Sequence, residues 1–157
     1  SRGSGMTPAE SKEFISKYFA AYPGVFKYTE GIKEEVRANA VVKNELGRQR
    51  KFPDIRSSMF QVRASAERAA MNFPIQSLQA DIIKLAMINI HEEIKGKAEE
   101  IKMLLQVHDE LVFEIKEDKV DSWIKKLKPL METAYTLSVP IIVEGKIGAN
   151  WGDMKKI

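Results

Sequence analysis

Apolar side chains follow two different spacings along the chain, and each spacing predicts one type of element. In residues 7–40 and 58–95 apolar positions recur every three or four residues, as on the buried face of a helix. In residues 101–115 they alternate with other side chains, as in strands that bury one face. The chain is therefore expected to combine helices with an antiparallel β-hairpin.

Capping and proline signals mark the element boundaries. Thr7 precedes Pro8 and is followed three residues later by Glu10, which is the pattern of a capping box. The first helix is expected to end near Tyr22, before Pro23. The same signals predict the later elements, in chain order: a second helix to about Ala40, a short hairpin over 41–52 with its turn near 44–47, a loop over 53–58, a long helix to about Lys95, a helix over about 117–135 and a last strand over 141–147.

The central hairpin is predicted to present three polar residues, His108-Asp109-Glu110, at its tip. Alternation places the apolar residues of each strand on one face: Ile101, Met103, Leu105 and Val107 before the tip, and Leu111, Phe113 and Ile115 after it. A tip is a rigid place for charged groups, because the ladder behind it fixes the backbone.

Asp109 and Glu110 set two carboxylates side by side. Such a pair repels itself unless a cation lies nearby, so a divalent metal is the natural partner. Acidic residues are also common at turns simply because turns are solvated, and this explanation stays open.

One face of the long helix is predicted to carry neutral amides beside an arginine. Arg68, Asn72, Gln76 and Gln79 fall within roughly 80° of one another at about 100° per residue. Every DNA base pair presents an acceptor at nearly the same place in the minor groove. These donors could therefore bind the minor groove of DNA of any sequence. An ordinary exposed helix face explains them equally well. Pro74 makes the phase approximate, since it is expected to kink the helix, or to stop and restart it, near Asn72.

Composition narrows the class of protein. The 157 residues are 44% hydrophobic and 30% charged, which suits one domain with a core and excludes a disordered chain. Without cysteine, a reducing, cytoplasmic setting fits, and without a long apolar run no membrane partner is expected. The net charge is +3, and seven basic residues against three acidic ones lie between Lys43 and Arg68, as for a polyanion partner or a solvated face. Because Ser rather than Met stands first, we expect a processed chain or part of a longer protein.

Four ordered segments resemble the C-terminal part of family A DNA polymerases, the bacterial DNA polymerase I type. They are YFAAYPGV at 18–25, GRQRKFPDI at 47–55, AERAAMNFPIQ with ADIIK over 66–84, and QVHDELV at 106–112; the closing GANW at 148–151 is also similar. The resemblance implies an α+β fold with an antiparallel palm sheet around the central hairpin, packed by helices that include a long kinked helix. Residues 1–157 would then be a partial polymerase domain, with fingers-side helices and the small hairpin in 1–100 and the palm hairpin, helix and last strand in 101–157.

The resemblance also implies roles for residues of the matched segments. Asp109 would be a palm carboxylate that binds catalytic Mg²⁺, with Glu110 in support and His108 near the primer terminus. Three residues of the long helix would contact primer–template DNA: Arg68, Asn72 and Gln76. A fourth, Arg63, would contact the DNA backbone.

Polymerisation by two metal ions needs more than the chain contains. In the family, a second essential aspartate comes from an earlier palm strand, and dNTP phosphates are held by a basic fingers helix; neither is found here. The isolated chain is therefore expected not to polymerise DNA, and the missing N-terminal polymerase portion is an expected partner, in the cytoplasm or, in a bacterium, near the nucleoid. Two alternatives remain: a non-catalytic module that binds duplex DNA, and a metal-dependent phosphoesterase using Asp109 and Glu110.

Overall fold

A computed structural model of the chain describes residues 5–157. They form two compact units, the first ending at Gln76 and the second running from Ser77 to Ile157. The combination of helices with small antiparallel sheets confirms the predicted α+β class. Among the described residues, no helix has the length and apolar character needed to cross a bilayer. The predicted division of the polymerase domain near residue 100 stays a prediction.

The first unit contains two helices, a small hairpin and the start of a long helix. In chain order its elements are α1 (Pro8–Ala21), α2 (Pro23–Asn39), β1 (Val41–Lys43), β2 (Gln49–Lys51), a 3-10 turn (Pro53–Arg56) and the N-terminal part of α3 (Phe60–Ile94). The helices and the hairpin lie where the sequence predicts them, and the 3-10 turn occupies the predicted loop.

The N-terminus of α1 has the predicted capping box. The backbone N–H of Thr7 donates to the Glu10 carboxylate at 2.7 Å, and the N–H of Glu10 donates to the Thr7 hydroxyl at 3.3 Å. Hydrogen bonds from the Thr7 backbone and side chain hold the pKa of Glu10 below its ordinary value. The helix buries none of its residues, and an edge-on contact between Phe19 and Phe26 joins it to α2.

The core of the first unit is formed by α2, the small hairpin, the 3-10 turn and α3. It consists of Val36, Val42, Phe52, Ile55, Ala66 and Ala70. Two polar contacts join α2 to α3: the Tyr28 hydroxyl donates to the Met71 carbonyl at 2.9 Å, and Arg37 pairs with Glu67 at 2.8 Å. Since α3 contributes alanines to this core, its backbone can approach the neighbouring elements closely.

The second unit contains the rest of α3, the central hairpin and a C-terminal helix. Its further elements are β3 (Ile101–Val107), β4 (Glu110–Ile115), a 3-10 turn (Glu117–Lys119), α4 (Val120–Glu132), β5 (Lys146–Ile147), a second 3-10 turn (Trp151–Asp153) and β6 (Lys155–Lys156). Its core is made of Ile90, Ile101, Trp123 and Leu127, with partly buried side chains of the hairpin and α4 packed against them.

Trp123 is the largest fully buried side chain of this core, and it has a charged surround. Its indole N–H donates to Glu100 at 3.3 Å. The ammonium groups of Lys97 and Lys126 lie 5.1 and 5.0 Å from the ring centroid, within the range of a cation–π interaction. Glu93 accepts hydrogen bonds from both lysines at 3.0 Å, and these bonds lower its pKa. The two lysines therefore cover the indole ring, and the Glu93 carboxylate compensates part of their positive charge.

Two predictions about the elements are wrong in detail. The long helix does not stop and restart, because α3 is continuous through Pro74; the kink stays a prediction. The last strand is not seven residues long, because only Lys146 and Ile147 pair, with β6 as partner. Gly145 accepts one further backbone hydrogen bond from Ile157 at 3.1 Å, but residues 141–144 have no ladder partner in the described part of the chain, and alternation alone does not reveal such a lack.

Candidate functional site

The tip of the central hairpin is a two-residue turn. Val107 pairs with Glu110, so only His108 and Asp109 lie between the strands. Glu110 is the first residue of β4, which corrects the predicted three-residue tip. His108 has φ 52°, in the left-handed region that a tight two-residue hairpin uses and in which residues other than glycine are uncommon.

A β-bulge lies in β3 between the core and the tip. Met103 pairs with Phe113, but Leu105 pairs with Val112, so Leu104 is an extra residue on its strand. The bulge moves Leu105 and Val107 off the face that Ile101 and Met103 share. The prediction that these four residues lie on one face is therefore wrong, and Gln106 takes the core-side position opposite Leu111.

The bulge places the Gln106 side chain within hydrogen-bonding distance of the turn. Its amide Nε2 donates to the His108 carbonyl oxygen at 2.6 Å. Sequence reasoning did not select Gln106 as a site residue, although it opens the QVHDELV segment on which part of the resemblance rests.

The side chains of the tip are exposed to solvent, and a lysine of another strand lies near one of them. His108, Asp109 and Glu110 are all exposed. A Glu110 carboxylate oxygen lies 4.0 Å from Nζ of Lys146, which belongs to β5. Such an exposed ion pair contributes little to stability. Lys146 was also not selected from the sequence, since nothing before the fold indicates that the C-terminal ribbon lies beside the hairpin.

The acidic pair fits part of a magnesium site. Mg²⁺ is usually held by one or two carboxylates, with water and substrate phosphates completing the shell. Asp109 and Glu110 can supply such carboxylates. Within residues 5–157, no group of three His, Asp or Glu side chains could hold a metal ion. A complete two-ion site would therefore need ligands beyond those described.

The α3 donor row, which we define as Arg68, Asn72 and Gln76, lies in the first unit. The three residues are spaced four apart on α3 and are exposed. Their side chains have no hydrogen-bonding partner in the part of the chain that the structure describes, so their donors are available to a ligand. Gln79, the fourth predicted member, is also exposed on α3 but belongs to the second unit.

Arg63 has a structural role. Its Nη1 donates to the carbonyl oxygens of Ser57 and Ser58, each at 2.8 Å, and so holds the segment that leads into α3. The sequence does not indicate this, because the bonds depend on how that segment folds back. The predicted contact of Arg63 with the DNA backbone stays a prediction.

A surface cavity of about 530 Å³ also lies in the first unit. Arg50 and Lys51 of β2 line it, together with the first turns of α3, and the Arg50 guanidinium lies 5.1 Å from the centroid of the Phe52 ring. The cavity therefore contains part of the basic segment noted in the sequence.

Comparison with known proteins gives the family. The family model for DNA polymerase family A matches residues 1–153. DNA polymerase I of Geobacillus stearothermophilus is 42% identical over 150 residues, which are 96% of this chain and 17% of that protein. DNA polymerase I of Pseudomonas aeruginosa is 38% identical over 149 residues, or 95% of this chain and 16% of that protein.

A solved structure agrees with these relatives. The POL domain of Pol1 from M. smegmatis, in complex with DNA primer-template and dNTP, superposes with a TM-score of 0.83 at 39% identity, covering 89% of this chain and 25% of that one. The chain therefore belongs to DNA polymerase family A. It spans about one sixth of the length of the curated relatives it matches.

Proposed function

We propose that this chain is the C-terminal part of a DNA-directed DNA polymerase that adds dNTPs to a primer 3′ end. The proposal rests on one observation above all: the segment that matches family A ends its central hairpin in a tight turn that exposes Asp109. The similar Pol1 domain was solved with DNA primer-template and dNTP, which supports the same partners for this chain.

In this proposal Asp109 and Glu110 hold Mg²⁺ at the hairpin tip. Bound Mg²⁺ supplies the charge that stabilises the attacking and leaving oxygens of phosphoryl transfer. The two carboxylates fix where that charge lies, and His108 lies beside the primer terminus. Asp109 is the principal ligand, with Glu110 in support.

The α3 donor row contacts the primer–template duplex. Asn72 and Gln76 offer neutral N–H donors, and both purine N3 and pyrimidine O2 accept in the minor groove. Contacts of this kind depend on the shape of a base pair and do not distinguish one base sequence from another. Arg68 adds a positive charge, and so some dependence of binding on salt.

The chain would act only with the missing N-terminal portion of the polymerase. A second palm aspartate and the basic helix that binds dNTP phosphates are properties of the family that no residue here supplies. Losing one carboxylate anchor of a two-ion site should cost several kcal/mol of transition-state stabilisation. We therefore expect no useful extension by the chain alone, and we place the assembled enzyme with its DNA in the cytoplasm, at the nucleoid in a bacterium.

Primer extension tests the proposal. The purified chain is assayed with Mg²⁺, primer–template and four dNTPs, alone and with the N-terminal portion of its polymerase supplied in trans. Extension is expected only in the mixture, and Asp109→Asn should abolish it, because the amide keeps the size of the side chain but loses its charge. Asp121→Asn, an exposed acidic residue of α4, is the matched control and should leave extension unchanged.

A module that binds duplex DNA without catalysis is the second candidate. It is favoured by the α3 donor row, whose three exposed side chains require no metal for their contacts. Duplex binding that survives Asp109→Asn, with no extension in any mixture, would select this candidate. Robust extension by the 157-residue chain alone would contradict the proposed dependence on a missing portion.

A further inference from the structure

The peptide group between His108 and Asp109 is held by a hydrogen bond from a side chain of the same hairpin. The Gln106 amide donates to the His108 carbonyl oxygen at 2.6 Å. A peptide group is planar, so the direction of this carbonyl also sets the direction in which the chain enters Asp109. The hydrogen bond therefore acts directly on the backbone that presents the carboxylate.

The turn needs such a restraint because of the residue at its first position. His108 has φ 52°, where an L-residue with a Cβ atom is disfavoured. Glycine would adopt this conformation without strain, but the chain has histidine there. A non-glycine residue in this region persists only where neighbouring groups hold it. Gln106 supplies one such group.

The β-bulge explains why Gln106 is the residue that reaches the turn. Gln106 pairs with Leu111, on the face shared by Met103 and Phe113, because Leu104 is an extra residue in β3. Without that extra residue, Leu105 would occupy the core-side face and Gln106 would point to the opposite side of the hairpin. The bulge and the hydrogen bond are thus parts of one arrangement.

We propose that Gln106 is a positioning residue that fixes the left-handed turn at His108 and thereby the orientation of Asp109. It acts through the backbone, by its hydrogen bond to the His108 carbonyl oxygen. The importance of that orientation for metal binding rests on the proposed function; the effect of Gln106 on the turn does not.

Nuclear magnetic resonance of the 157-residue chain tests the restraint. Gln106→Met keeps the length of the side chain and removes the donor. The backbone amide signals of His108, Asp109 and Glu110 are expected to shift and broaden, because the turn samples other conformers. Gln79→Met, at an exposed glutamine of α3 in the same unit, is the control and should leave the three signals in place.

A second substitution separates the restraint from general support of the hairpin. Glycine at position 108 removes the conformational strain, so Gln106→Met should have a much smaller effect in a His108→Gly background. The indole signal of Trp123 reports whether the core is intact in each variant. An effect of Gln106→Met that is undiminished in the glycine background, or no effect on the three tip signals, would overturn the proposal.

Titration with Mn²⁺ alone links the turn to the acidic pair. The midpoint of paramagnetic broadening of the Asp109 amide should shift to a higher Mn²⁺ concentration in Gln106→Met than in the unsubstituted chain. Equal midpoints in the two proteins would mean that the restraint does not serve Asp109, and would overturn that part of the proposal. If the unsubstituted chain shows no broadening at the tip, the proposed metal role of Asp109 fails, while the effect of Gln106 on the turn is still decided by the amide signals.

Discussion

Asn72→Leu and Gln76→Leu remove the neutral donors of the α3 donor row while leaving side chains of comparable size. Both residues are exposed on α3, and neither has a hydrogen-bonding partner in the described part of the chain. Surface substitutions of this kind change the free energy of unfolding by no more than about 0.5 kcal/mol. Any loss of DNA binding can then be assigned to the contacts themselves.

The expected loss follows from the value of one hydrogen bond. A neutral hydrogen bond contributes a net of about 1 kcal/mol, and 1.4 kcal/mol corresponds to a factor of ten in affinity. Each substitution should therefore weaken duplex binding about fivefold. The double variant should lose somewhat less than the product of the two effects, because the residues are one helical turn apart and share the same stretch of groove.

Fluorescence anisotropy with a labelled primer–template measures these affinities at several salt concentrations. The two leucine variants should shift the dissociation constant without changing its salt dependence, since no charge is lost. Arg68→Gln should reduce the slope of log affinity against log salt by about one, as for the loss of one cationic contact. Asn89→Leu, at an exposed asparagine further along α3, should bind as the unsubstituted chain does.

The result that refutes this reasoning is a leucine double variant with unaltered affinity and an unaltered melting curve. Exposed amides would then be an ordinary solvated helix face. A loss that appears equally in Asn89→Leu would point to a change in α3 as a whole instead of the donor row.

Three further predictions concern stability. Tyr28→Phe removes the bond to the Met71 carbonyl and should lower the free energy of unfolding by about 1 kcal/mol in chemical denaturation; no change would mean that water replaces the hydroxyl. Because the folded pKa of Glu10 is lowered, its capping contribution is full above its unfolded pKa and should be lost as pH falls through the folded value. Amide signals at the start of α1 measure that loss, and Glu10→Gln should abolish its pH dependence. Ile90→Ala leaves a cavity at a fully buried position in the core of the second unit and should lower the free energy of unfolding by about 3 kcal/mol, as measured by calorimetry. A much smaller loss would mean that neighbouring side chains fill the cavity.

Local signals in the sequence predicted much of the fold. The capping box at Thr7, the proline that begins α2 and the turn of the small hairpin act within a few residues, so the pattern contains nearly all that determines them. Asn44 illustrates this, since its side chain accepts from the N–H groups of Leu46 and Arg48 within the same turn.

The errors arose where distant contacts decide the structure. The bulge at Leu104 is compatible with the same alternating letters as a regular strand, and only the pairing with β4 reveals the extra residue. Pro74 removes one hydrogen-bond donor, yet α3 continues because its side chains pack on both sides of that point along the helix.

The candidate site likewise contains features that the sequence predicts and features that depend on distant contacts. Asp109 and the α3 donor row could be selected from residue types and spacing. The bond from Gln106 to the turn and the approach of Lys146 to Glu110 could not, since both depend on how strands are paired and placed. The sequence therefore indicates the candidate polar groups better than the contacts that surround them.

The burial of Trp123 gives the protein an intrinsic optical reporter. The chain has only two tryptophans, Trp123 and Trp151, and both belong to the second unit. Trp123 is 2% exposed and Trp151 is 52% exposed, so emission from the former changes most when its surroundings open. Melting followed at the red edge of indole absorption thus monitors residues 77–157 alone, whereas three of the four tyrosines, Tyr18, Tyr22 and Tyr28, belong to the other half. Comparing the indole trace with the tyrosine trace, to which Tyr135 of the second unit also contributes, would tell whether the halves lose structure together or in sequence.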